Sequence, residues 1–331
     1  MKIVKNAHFD SFRCIAAQCP DSCCKEWDVL VDADSAARYR SLPGQLGDRL
    51  RQVLKDEDGQ TYMTIQEGRC PMWRQDGLCR IQAELGHDAL CKTCRDFPRL
   101  THDYGDFVEY TLELSCPEVA RLLLNSPPQP PVVTHVPGGE APEYDREAME
   151  ILLRTREQMY AILSAPQPVG QVLAMGLLFA YHAQAELDSL DVAPFDPDSA
   201  LETAKDMSKH SDIGQLVAFY QGLDILTDIW RARLSAPSPA PWSEPLRNLA
   251  IYSVERYWLQ AVSDYDLAGR AKMVILSCLL VKSLGGDPVE TAQTYSKEIE
   301  NNADNIDAIL DAAYENPSFT DDKLLWLLMN S

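Results

Sequence analysis

Nine of the ten cysteines in this 331-residue chain fall within its first 116 positions, and Cys19, Cys23 and Cys24 lie within six residues of one another. The spacing runs Cys14, Cys19, Cys23, Cys24, then Cys70, Cys79, Cys91, Cys94, then Cys116; only Cys278 lies beyond. Scattered buried thiols would not crowd in this way. Disulfides need an oxidising compartment, and the opening "MKIVKNAHFDSFRC" has no apolar segment of the kind that directs export. Metal or iron–sulfur ligation is the reading that remains.

The choice of metal is less constrained. Zinc takes four tetrahedral ligands, and Cys70, Cys79, Cys91 and Cys94 form one such set. Three cysteines are followed directly by proline, at 19–20, 70–71 and 116–117, and a proline also closes the ferredoxin-type cysteine run. That tilts the reading toward iron–sulfur. Neighbouring residues point their side chains in different directions, so of Cys23 and Cys24 one is expected to ligate while the other packs or serves a second site. The six histidines are isolated in sequence, and only His87 and His102, flanking Cys91 and Cys94, stand in reserve as ligands.

The rest of the chain reads as helix. A proline- and glycine-rich stretch, "NSPPQPPVVTHVPGGEAPEY" at 125–144, can continue neither a helix nor a central strand. It divides a cysteine-rich unit, 1–124, from a helical unit, 145–331. Before it, "WDVLVD", "TYMTI" and "FVEYTLEL" look extended. After it, apolar residues recur near every 3.6 positions in 146–165, 168–187, 213–234, 246–262 and 268–284. "DPVE" at 287–290 supplies an N-cap Asp, an N1 Pro and an N3 Glu. Cys278, inside "MVILSCLLV", reads as a small buried hydrophobe. The expected fold class is mainly α: a small, irregular metal- or cluster-binding domain with short strands, followed by an α-helical domain.

The formal net charge of −20 argues against a nucleic-acid partner, which would require a basic surface. Residues 1–116 carry 15 Lys+Arg and 19 Asp+Glu, and the remainder carries 15 and 31. The acidic helical part suits solubility and also the attraction of a lysine-rich protein. No transmembrane run is present, and the cytoplasm is the default compartment. Amphipathic helices of a bundle share their period with helices that lie on a bilayer, so peripheral membrane association stays open, as does oligomeric state. No G-x-G-x-x-G, Walker loop or H-x-x-x-H pair occurs. The radical-enzyme triplet C-x3-C-x2-C starts at Cys19 and Cys23 but is broken by the adjacent Cys24.

Three blocks together resemble the flagellin lysine-N-methylase family: "FRCIAAQCPDSCCKEWDVLVDADSAARYR" at 12–40, "GRCPMWRQDGLCRIQAELGHDALCKTCRDFPR" at 68–99 and "LELSCPEVA" at 112–120. The second block is also similar to a broader bacterial group of cysteine-cluster proteins that chelate zinc or iron. The first resemblance implies transfer of methyl groups from S-adenosylmethionine to lysine ε-amines of flagellin, with a cysteine-ligated [4Fe–4S] cluster. The ligand candidates carried over are all nine cysteines from Cys14 to Cys116. Cys19, Cys23, Cys91 and Cys94 are the preferred core, and Cys24, Cys70 and Cys79 follow. No SAM-binding or catalytic residue is implied; Asp103, Tyr104, Asp106 and Tyr110 lie closest in sequence to the presumed cluster. The alternative is a non-enzymatic zinc- or iron-binding module for protein interaction.

Overall fold

The computed structural model describes residues 1–330, which fold as fifteen α-helices and seven short strands. The mainly α architecture expected from the periodicity is what forms. All but one of the strands lie before residue 113, interleaved with short helices: β1 (Lys2–Lys5), β2 (Val29–Val31), α1 (Ala33–Ser41), α2 (Gly44–Val53), β3 (Leu54–Glu57), β4 (Gln60–Met63), α3 (Arg80–Leu85), α4 (Lys92–Asp96), β5 (Arg99–Asp103) and β6 (Phe107–Leu112). Next come α5 (Pro117–Leu124), β7 (Val132–His135), α6 (Arg146–Leu163), α7 (Val169–Leu187), α8 (Pro197–Met207), α9 (Ile213–Gln221), α10 (Asp228–Ser235) and α11 (Glu244–Tyr257). The chain closes with α12 (Leu267–Leu284), α13 (Pro288–Tyr295), α14 (Ala303–Glu315) and α15 (Asp321–Asn330).

Two sheets organise the strands. β2, β4 and β3 form an antiparallel sheet in that spatial order, and β5, β6, β1 and β7 form a mixed one in which β1 runs parallel to β6. The three extended-looking segments become β2, β4 and β6. The proline-rich stretch contributes β7 at the sheet edge, with its prolines outside the strand, where their missing N–H groups cost no ladder bond.

Two buried clusters follow. The smaller gathers Val31, Tyr39, Leu50, Met63, Met72 and Cys91, among others, around the three-stranded sheet. The larger is helical, but it also takes in Phe12, Phe107, Leu112, Leu114 and Val119. β6 and α5, which precede the proline-rich stretch, therefore pack into the helical core. At its centre lies α12, buried along its whole length from Leu267 to Leu284, with Cys278 fully enclosed. Lys272 on this helix donates to the carbonyls of Ala313 (2.9 Å) and Phe319 (3.2 Å) and pairs with Asp321 at 2.9 Å.

Capping explains the helix boundaries. Asp287 caps α13 by accepting from the Val289 amide, as its sequence signature predicts. The periodic run 213–234 is two helices: α9 ends at Gly222, and Thr227 caps α10 through the Trp230 amide.

A buried ion pair joins the mixed sheet to α6. Both terminal nitrogens of Arg156 donate to Glu109, at 2.7 and 2.9 Å, and the two side chains are only 8% and 5% exposed. Arg156→Ala strands the Glu109 carboxylate and is expected to cost on the order of 3–5 kcal/mol in urea denaturation, whereas the double replacement Glu109→Leu with Arg156→Met is expected to cost far less.

Candidate metal centre

The cysteine loop is built by short-range contacts. A 3₁₀ turn, Ala16–Gln18, brings the Cys19 amide onto the Ala16 carbonyl at 3.0 Å. The Ala16 amide in turn lies 3.4 Å from the Cys14 sulfur. The Cys24 carbonyl accepts from the Cys70 amide at 2.7 Å, and the Glu26 amide donates to the Gly68 carbonyl at 3.1 Å. These bonds splice the first cysteine block directly onto the second.

Beyond Cys70 the chain turns back on itself. The Arg74 amide donates to the Leu78 carbonyl at 2.9 Å and the Arg80 amide to the Met72 carbonyl at 2.7 Å, which places Cys79 opposite Trp73. Cys91 occupies the N-cap position of α4 without a side-chain capping bond, and Cys94 lies within that helix. Asp32, the acid that closes "WDVLVD", accepts from the Lys92 amide at 2.7 Å and from the Ser35 amide at 3.0 Å. Thr93 adds a bond to the Leu30 carbonyl at 2.8 Å. One carboxylate thereby caps α1 and pins the Cys91–Cys94 turn to β2; the Lys92 amide is the main reason its pKa drops to about 2.

The fold thus gathers residues separated by up to a hundred positions. Cys23 and Cys24 interact through their thiols, as do Cys91 and Cys94, and Cys94 also senses the charges of Cys23 and Cys24. The two differ in exposure, Cys23 lying at the surface and Cys24 half-buried. Cys70 and Cys79 sense Cys24 and Cys91, while Cys116 senses Cys19 and Cys14. Interaction with the Cys23 thiol holds Cys24 down to about 7, and Cys94 does the same for Cys91. Burial pushes Cys70 up to about 12 and Cys116 up to about 11. Cys14, Cys23 and Cys94 are exposed, Cys19, Cys24 and Cys79 half-buried, and Cys70, Cys91 and Cys116 buried.

Among the described residues no three His, Cys, Asp or Glu side chains already stand at mutual metal-ligand separations. The donor set itself, all sulfur, fits zinc or an iron–sulfur cluster. His102 faces Glu109 across the β5–β6 ladder, and His87 is exposed. Asp103 and Asp106 lie at the β5–β6 turn, accepting from the Gly105 amide (2.9 Å) and the Tyr144 hydroxyl (2.6 Å), while Tyr104 stacks on Phe107 at 4.6 Å.

The sequence gives no sign of what anchors the cysteine loop. After α13 the chain makes one π-helical turn, Ser296–Glu300, which carries Lys297. Its ammonium lies 2.9 Å from Asp21 and 2.5 Å from Glu26, and 5.2 Å from the centre of the Trp27 ring. Gln293 donates to the Ser115 carbonyl at 2.8 Å. Burial opposes the charge on Lys297, yet the bonds to Glu26 and Asp21 outweigh it and raise its pKa. Between loop and helices lies a cavity of about 380 Å³, lined by Pro20, Asp21, Arg121, Arg233, Gln293 and Lys297, among others.

Fold and site define a mainly α protein with a thiol-rich N-terminal centre clamped to a helical body. Over 132 residues, 38% of this chain, it is 33% identical to the flagellar biosynthetic protein FliU of Salmonella muenchen, a match that spans 78% of that relative. The same identity over 132 residues relates it to the lysine-N-methylases of Salmonella typhimurium and Salmonella choleraesuis, of whose length the match covers 33%. No family model and no solved structure matches. The chain belongs to the flagellin lysine-N-methylase family.

Lys297→Met leaves Asp21 and Glu26 without their cation. Because both acids are partly solvated, the expected loss of stability is about 1–2 kcal/mol rather than the full buried-pair cost. Modification of Cys19, Cys23 and Cys24 by a thiol reagent is expected to accelerate several-fold, followed by mass spectrometry of the labelled peptides.

Proposed function

We propose that this protein transfers methyl groups from S-adenosylmethionine to lysine ε-amines of flagellin and depends on a [4Fe–4S] cluster. The observation that carries this reading is the 33% identity to proteins named lysine-N-methylase. The gathered thiols support it, because the neighbouring Cys23 and Cys94 thiols lower the pKa of Cys24 and Cys91 and so favour the thiolate form that binds iron. Cys23, Cys24, Cys91 and Cys94 are the residues that would hold the cluster, with Cys19, Cys70 and Cys79 as further candidates; Cys19 and Cys23 both interact with Cys14 and Cys116. When bound, the cluster supplies an electron-accepting centre and cross-links the two cysteine blocks.

The protein's own residues would do two further things. Its acidic helical part attracts a lysine-bearing surface. A site must also strip the ammonium of its proton, because only the neutral amine has the lone pair that methylation needs, and the free lysine pKa is about 10.4.

Protein purified without oxygen is expected to be brown, with iron and sulfide in equal amounts. Incubated with S-adenosylmethionine and flagellin, it is expected to add methyl-sized mass increments to flagellin lysines. Cys91→Ser and Cys94→Ser are each expected to abolish both the colour and the increments. A colourless protein with stoichiometric zinc and no mass gain would replace this reading with that of a non-enzymatic metal module.

A further inference from the structure

A second cavity, of about 270 Å³, opens between the mixed sheet, α6 and α11. The prolines at 127, 128, 130 and 131 form one wall, which offers carbonyls but no N–H donors. Three carboxylates, Glu109, Glu157 and Glu255, line it against a single guanidinium, Arg156, and no lysine. Arg156 is committed to Glu109 through both terminal nitrogens. Glu255 makes no direct salt bridge: its only protein hydrogen bonds come from the neutral amide of Asn6, at 3.0 and 2.9 Å.

Two further polar atoms suit the same kind of guest, although Arg156 also leaves its Nε–H without a partner. Asn248 lines the cavity and is 7% exposed; its amide nitrogen donates to the carbonyls of Leu124 and Ser126, leaving its side-chain oxygen without a partner. Thr111, 3% exposed on the same wall, also has an unpartnered hydroxyl oxygen. A site with a spare anion and spare acceptors suits a cation rich in donors. Tyr110, Tyr160, Tyr252, Ile251 and Leu123 give it walls suited to methylenes and a positive charge.

We propose that this cavity receives a lysine side chain, with Glu255 as counter-ion to its ε-ammonium and as the base that deprotonates it. The inference rests on the methyltransferase reading and assigns that reaction an amine site. The ammonium gives one proton to the Glu255 carboxylate. The freed lone pair forms the N–C bond to the methyl carbon of a sulfonium donor, and the C–S electron pair returns to sulfur, leaving a neutral thioether. The product is a methylated ammonium, and Glu255 returns its proton to solvent through the open cavity.

Burial raises the Glu255 carboxyl to about 7. The same desolvation lowers the pKa of an incoming ammonium, so both changes favour proton transfer. Arg156 and Glu109 both act on Glu255, the guanidinium lowering its pKa and the carboxylate raising it, and Asn6 lowers it through its hydrogen bonds; burial outweighs them. His8 comes from the segment after β1, Glu157 and Tyr160 from α6, Tyr110 from β6 and Tyr252 from α11 itself.

The test uses the full-length protein, with Nα-acetyl-lysine-methylamide as probe and the norleucine analogue as control. The lysine probe is expected to bind and to shift amide resonances around Asn6 and Asn248, while the norleucine analogue does not bind. Glu255→Gln is expected to weaken the probe by about tenfold or more, and to slow methylation of flagellin while removing the limb near pH 7 from the rate profile. Glu255→Asp is expected to recover part of both. Thermal melting confirms that each variant is folded. If the wild type methylates flagellin while Glu255→Gln keeps its rate and probe affinity, the cavity assignment is overturned and the activity stands. If the probe binds through Glu255 but no lysine is methylated, the activity reading falls and the amine site stands. If the wild type binds no probe, the assignment is overturned.

Discussion

Lys297 is the interaction on which the arrangement of the two halves depends. Its buried ammonium cannot remain charged without partners, and it finds them in Asp21 and Glu26, on either side of the adjacent cysteines. Trp27 covers the same charge with its ring. The π-helical turn that carries Lys297 sets its direction, since the extra residue in that turn re-aims the side chains that follow α13. Cysteine loop and helical body are therefore registered to one another by a charge that would be costly to strand.

A second constraint works from the other side. Asp32 caps α1 and holds the Lys92 amide, so the Cys91–Cys94 turn is positioned by an element sixty residues upstream. The Cys70 amide bonds to the Cys24 carbonyl with the same effect. Hydrogen bonds from three separate segments thereby hold the two cysteine blocks against one another. The Glu109–Arg156 pair gives the mixed sheet a comparable tie to α6, and its mutual neutralisation is what leaves Glu255 as the unmatched charge nearby.

Much of this was legible in the sequence. The 3.6-residue periodicity located α6, α7, α11 and α12, and "DPVE" marked the start of α13, because capping and amphipathic burial are local effects. The crowded cysteines marked the thiol-rich segment. The split between α9 and α10 was hidden, since apolar residues keep their period across Gly222. That the Cys70 amide bonds to the Cys24 carbonyl, joining the two cysteine blocks, is a long-range contact that no spacing rule reveals. Nothing local in the sequence marks Lys297 or Arg156 as buried or Glu255 as desolvated.

The sequence by itself determined the helical body, the short strands, the thiol-rich N-terminal third and the excess acidity of the remainder, since each follows from local pattern or composition. Only the tertiary structure decided which thiols become neighbours, that β6 and α5 join the helical core, and which charges lose their water. Those outcomes depend on contacts between residues as far apart as Asp21 and Lys297, or Asn6 and Glu255. Whether a carboxylate or ammonium is costly, paired or reactive is set by what surrounds it in space, and a linear sequence does not carry that information.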